Sequence, residues 1–237
     1  MKTIIWFATF ALSISIAKSD DVTSFTQSAD TFLKKYVSKG AVDYATIKKN
    51  SSDIQSLYKT MGTISLKDQN NNTKKAFYIN AYNLVVIQSI VKNYPVKSPM
   101  DIEGFFDKQT HLVAGERLTL NALEKEKLLN IYDDARFHFV LVCAAKSCPT
   151  LMSGAYTPEL IEAQLTQRTK LTINDETWLK LSTNKKTIEV SKIFEWYNGD
   201  FTSNGKTMLS WINNFRDVKI PASYKVNYYE YDWALND

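Results

Sequence analysis

The chain holds two cysteines, Cys143 and Cys148, and two histidines, of which His138 lies just upstream of the cysteine pair in RFHFVLVCAAKSCP (136–149). Pro149 suits the first position of a helical turn, which makes Cys148 its cap. A thiol there meets unpaired backbone N–H groups and the positive end of the helix dipole, both of which favour the thiolate. Cys148 is therefore a candidate nucleophile and His138 its candidate base. Asn80 and Asn83, in FYINAYN (77–83), are three residues apart and share one helix face. Either amide suits an orienting or oxyanion-donating role.

Each of these residues also has a structural reading. An oxidising compartment favours a short-range Cys143–Cys148 disulfide. His138 suits a satisfied imidazole in an apolar segment, and the asparagines suit bonds to loop backbone that fix the fold. His138 with both cysteines lacks an evident fourth ligand, so no metal site is expected, and no cofactor is implied. A redox pair would depart from the CxxC spacing. His111 has nothing beside it that suggests chemistry, and no Asp/Glu spacing picks out an acid–base pair. The aromatics of YYEYDWALN (228–236) are read as docking a final strand on the core, with sugar stacking as the alternative.

The elements that must hold these residues follow from periodicity and turn signals. Helices are predicted over residues 25–39, 53–61 and 73–92, the last apolar nearly all round and hence buried. Further helices are expected at 121–132, from Thr157-Pro158 to Leu171, at 193–197 and at 206–215. Hairpins are expected at 110–120 around Gly115-Glu116 and at 178–190 around Asn184-Lys185. FHFVLV (137–142) is apolar on both faces and predicts a central strand; residues 226–233 predict a final one. Strands and helices do not alternate, so the fold class is α+β, a single helix-rich domain around a small, mostly antiparallel sheet.

Residues 1–19 have the pattern of a signal peptide: Lys2, an apolar run from Ile4 to Ile16, and Ala17-Lys18-Ser19 before the cut. The run is short for a bilayer span, which takes about 20 residues. Removal of Lys2 and Lys18 lowers the formal charge from +4 by two. That balance steers nothing toward nucleic acid, and the scattered lysine pairs read as solvated surface. The expected product is residues 20–237, periplasmic or secreted, with no membrane association after cleavage.

Seven segments together resemble the domain of unknown function 547 family, in particular its exported bacterial members: FYINAYN (77–83), YPVKSP (94–99), GFFD (104–107), RFHFVLVCAAKSCP (136–149), AYTPE (155–159), SKIFEWYNGDF (191–201) and YDWALN (231–236). The resemblance implies that Asn80, Asn83, Arg136, His138, Cys143 and Cys148 occupy motif positions, and it assigns none of them a role. Family members often carry Glu-His after the hairpin, where this chain has Glu124-Lys125. The leading expectation is a thiol-dependent hydrolase or acyl transferase acting on peptide or amide bonds through Cys148, His138 and Asn80 or Asn83. The alternatives are a non-catalytic module that binds a small molecule, peptide or glycan behind a Cys143–Cys148 disulfide, and a redox protein that cycles the pair.

Overall fold

A computed structural model describes residues 14–237 of the chain. The expected signal segment lies for the most part outside the described residues. Helix α1 (Ile14–Tyr36) leads into the small hairpin β1 (Val37–Ser38) and β2 (Ala41–Val42), then α2 (Tyr44–Lys49) and α3 (Ser52–Thr63). Helix α4 (Asn71–Asn93) runs through the middle, capped by Asn70, whose side chain accepts the Thr73 N–H at 2.9 Å. Its length is buried from Ala76 to Ile87, as the all-round apolar pattern requires. A hairpin of β3 (His111–Val113) and β4 (Glu116–Leu118) follows.

The predicted helix at 121–132 is broken into three parts. Helix α5 (Leu120–Glu124) passes into a single π-helical stretch, Lys125–Leu129, before the short α6 (Asn130–Tyr132). Leu123 and Leu128 are both buried, at a five-residue spacing that an α-helix would turn to different faces. The wider turn brings both onto the core.

The largest departure from expectation is at FHFVLV. Residues Ala135–Phe139 form a 3₁₀ helix, and residues 140–143 after it belong to no strand. A strand needs neighbours for its N–H and C=O groups, and here a side chain takes that place. The Asn83 carboxamide donates to the Val140 carbonyl at 2.9 Å and accepts the Val142 N–H at 2.9 Å. Asn80 treats Tyr156 the same way, at 2.8 and 2.9 Å.

Helix α7 (Ile161–Asn174) starts later than its Thr157-Pro158 signal, because a turn intervenes. Strands β5 (Lys180–Ser182) and β6 (Thr187–Ser191) pair antiparallel, and β7 (Lys225–Tyr229) joins β6 in parallel. Between them lie α8 (Ile193–Trp196), α9 (Asn198–Thr202) and α10 (Met208–Asn213). The whole is α+β, helix-rich with small antiparallel and mixed sheets. A continuous buried cluster joins most of these elements, with Phe139, Trp178, Phe194, Phe201 and Trp211 in ring contact at one end.

Candidate functional site

The final strand stops at Tyr229, and the residues beyond it serve the cysteine loop. The Lys146 N–H donates to the Ala234 carbonyl at 2.8 Å, the Ser147 N–H to Asp232 at 3.1 Å, and the Asn236 N–H returns to Ala144 at 3.0 Å. Ala144, inside the loop, has a φ of +66°, a left-handed conformation that is strained for alanine and is held by this clasp. The loop closes through a Cys143–Cys148 disulfide. Tyr231 donates its hydroxyl to Cys148 Sγ at 3.1 Å and lies 3.3 Å from Cys143 Sγ. The Cys143 N–H also points at Cys148 Sγ, at 3.1 Å.

Cys148 is thus half of a disulfide and carries no thiol, so the nucleophile expected there is absent in this form. Its setting also differs from expectation. The Cys148 N–H bonds the Ala145 carbonyl at 3.1 Å within a turn, and Pro149 opens no helix. Three backbone-to-backbone bonds to the C-terminal segment hold the loop in place of a helical turn.

The disulfide faces a cavity of about 330 Å³ lined by Tyr82, Phe106, Asn121, Glu124, His138, Leu141, Ile193, Trp196, Tyr197, Tyr231 and Trp233. His138 and Cys143 line the same cavity, which a straight strand through both would forbid. The 3₁₀ turn removes that alternation. The arrangement does not include the amides: Asn80 and Asn83 have both amide atoms committed to backbone, away from the cavity. Neither fills the orienting or oxyanion role expected of it; both act as clamps on the chain.

One side of the cavity is aromatic. Trp196 and Trp233 stack with centroids 5.9 Å apart, and Tyr231 lies 5.0 Å from Trp196 and 4.7 Å from Trp233. Phe106 meets the edge of Trp233 at 6.1 Å. Trp196 is 48% exposed, which leaves this wall open to arriving molecules.

The other side is polar and deep. His138 Nε2 lies 2.7 Å from Asp200 Oδ2, and the imidazole packs on Tyr197 at 4.1 Å and Phe201 at 5.4 Å. Glu124, the last residue of α5 before the π-helical stretch, is only 8% exposed. Burial raises its pKa above the usual carboxylate range, against the His138 imidazole and a hydrogen bond from Tyr197, which both favour the carboxylate. Burial likewise raises the Tyr197 and Tyr231 phenols, so both stay neutral.

Sequence reasoning gave Glu124, Tyr197 and Asp200 no role, although Glu124 stands at the family's Glu-His position and the other two fall within SKIFEWYNGDF (191–201). In the structure Glu124 is a buried acid where the helix changes from α to π, a distortion frequent at functional sites. Arg136 faces elsewhere: its guanidinium spans Asp134 and Glu162, both at 2.6 Å, and ties the 3₁₀ turn to α7. Among the described residues, no three His, Cys, Asp or Glu side chains gather as a metal site. No described helix is long and apolar enough to cross a membrane.

No curated protein and no solved structure matches the chain. Residues 66–171 match the family model described as "Protein of unknown function, DUF547". That segment holds Glu124, His138 and both cysteines, while the tryptophans, Tyr197, Asp200 and Tyr231 lie beyond it. Through residues 66–171 the chain is thus similar to the DUF547 family.

Proposed function

We propose that the protein is a binding module whose cavity takes a small ligand, or the end of a larger one, behind the Cys143–Cys148 disulfide. The observation that carries this reading is the pairing of that disulfide with the Tyr231 hydroxyl at the cavity wall, which leaves aromatic surface and no free thiol. A volume of about 330 Å³ is at the small end of the ~300–1,000 Å³ usual for small-molecule sites. The setting we propose is periplasmic or secreted, where a disulfide persists. The test is a panel of small ligands screened by tryptophan fluorescence and thermal shift on the oxidised full-length chain. A binding ligand should quench Trp196 or Trp233, and Trp233→Ala should abolish its effect while the fold survives. A panel whose hits act equally on Trp233→Ala would place binding elsewhere.

A second reading has its own observation. The Cys143 N–H and the Tyr231 hydroxyl both aim at Cys148 Sγ. If the disulfide is reduced, these donors favour a Cys148 thiolate in a cavity that His138 also lines, the thiol-dependent hydrolase or acyl transferase of the sequence reading. A role for Cys148 as nucleophile then requires acyl transfer or hydrolysis that appears on reduction and is lost in Cys148→Ser.

A further inference from the structure

The cavity combines two features that select for charge. Its open wall is a cluster of electron-rich rings, Trp196, Trp233, Tyr231 and Phe106, facing inward with Tyr197 and Tyr82. Its wall also carries one buried carboxyl group, Glu124, and the His138 imidazole, whose Nε2 is held by Asp200 from outside the lining. The imidazole is paired with Asp200, so Glu124 is the carboxyl group left to face the cavity. The cavity therefore sets a buried acid and a cluster of rings against the same ligand space.

We propose that the ligand is an organic monocation of the alkylated-ammonium class, with its cationic head against the wall of Trp196, Trp233 and Tyr231 and Glu124 as its counter-charge. This rests on the binding reading above and names its ligand. Ring faces attract cations through their quadrupoles, most strongly where water is excluded, and tryptophan is the best of them. An alkylated ammonium has little or no hydrogen-bonding need, which suits this wall. The Tyr197 hydroxyl is committed to Glu124 and the Tyr231 hydroxyl to the sulfurs. A sugar, with a hydroxyl on nearly every carbon, would find few partners beyond Asn121 and Tyr82. The disulfide contributes by holding Tyr231 in place, so that the cage is formed before the ligand arrives.

The groups acting on Glu124 are the Tyr197 phenol, His138, Lys125 and Asp200. Of these only Asp200 raises the carboxyl further, in concert with burial. Affinity should therefore weaken as the pH falls and Glu124 takes up its proton, since the neutral acid offers no counter-charge.

The experiment is titration of the oxidised full-length protein with choline and with dimethylbutanol, its neutral isostere in which carbon replaces the ammonium nitrogen. Tryptophan fluorescence and calorimetry follow binding. Choline should bind about tenfold or more tightly than the alcohol, within the span of a desolvated cation–π contact. Glu124→Gln should erase most of that ratio. Equal affinity for the two probes, or binding by the alcohol alone, would overturn the cation assignment while the binding reading stood. The comparison on the unmutated protein decides the matter even where Glu124→Gln fails to fold. If neither probe binds, the cation assignment fails, and the wider ligand panel alone decides whether the cavity binds anything.

Discussion

The two asparagines of FYINAYN act at the residue scale by standing in for missing strands. Asn83 satisfies one donor and one acceptor of the 140–142 backbone, both buried. Asn83→Ala leaves two unpaired groups, each costing about 1–3 kcal/mol. Chemical denaturation should show a loss of about 2 kcal/mol or more, with Asn83→Asp intermediate because it keeps the acceptor for Val142. A loss of a few tenths would mean that water replaces the amide. The sequence exposed these residues because an amide inside an apolar helix is anomalous. It did not say whether the amide faced a site or a chain, since both readings cost and recover the same hydrogen bonds.

His111 is a second residue-scale test. Its ring is buried, with Nδ1 on the Tyr58 hydroxyl at 2.9 Å, and burial together with the charge of Lys92 lowers its pKa to about 4. A depressed folded pKa means that the unfolded chain binds the proton more readily. The associated stability is full above about pH 6.5 and is lost as the pH falls toward 4. Partial solvent access discounts the effect to on the order of 1–2 kcal/mol. His111→Gln, which keeps a partner for Tyr58, should flatten the stability profile across that window relative to the parent. Parallel profiles for the two proteins would refute the burial argument.

At the scale of elements, most helices and both large hairpins were legible because period and turn chemistry agree along those stretches. The 137–142 strand was not, because its apolar pattern fits any buried extended segment and only a partner strand would define it. The cavity was less legible still. Its aromatic wall comes from residues 196 and 231–233 and its acid from residue 124, joined by contacts that no local spacing encodes. The π-helical stretch is the element on which Glu124 depends. Deleting the exposed Glu126 converts it toward a regular helix, which should turn either Glu124 out of the cavity or Leu128 out of the core. Ligand binding or thermal stability should fall accordingly. Retention of both would mean that the wider turn does not position the acid.

At the scale of the molecule, the segment that matches the DUF547 model supplies the acid, the histidine, the disulfide and two of the rings, and the C-terminal third supplies the tryptophans, Tyr197 and Tyr231. The disulfide couples the two, since its loop is bonded to residues 232–236. Closing so short a loop stabilises the fold by about 2 kcal/mol on chain-entropy grounds. Reduction should lower the unfolding free energy of one cooperative transition by that amount and weaken ligand binding, because Tyr231 loses its fixed seat. Two separated transitions would contradict the coupling. The binding account depends most directly on the state of the cysteines. Protein isolated without reductant, unfolded in guanidinium and titrated with a thiol reagent should show no free thiol, and a peptide carrying both cysteines in disulfide linkage should appear by mass spectrometry. Two free thiols, with Cys148 the faster to alkylate in the folded protein, would contradict the account and return the cavity to thiol chemistry.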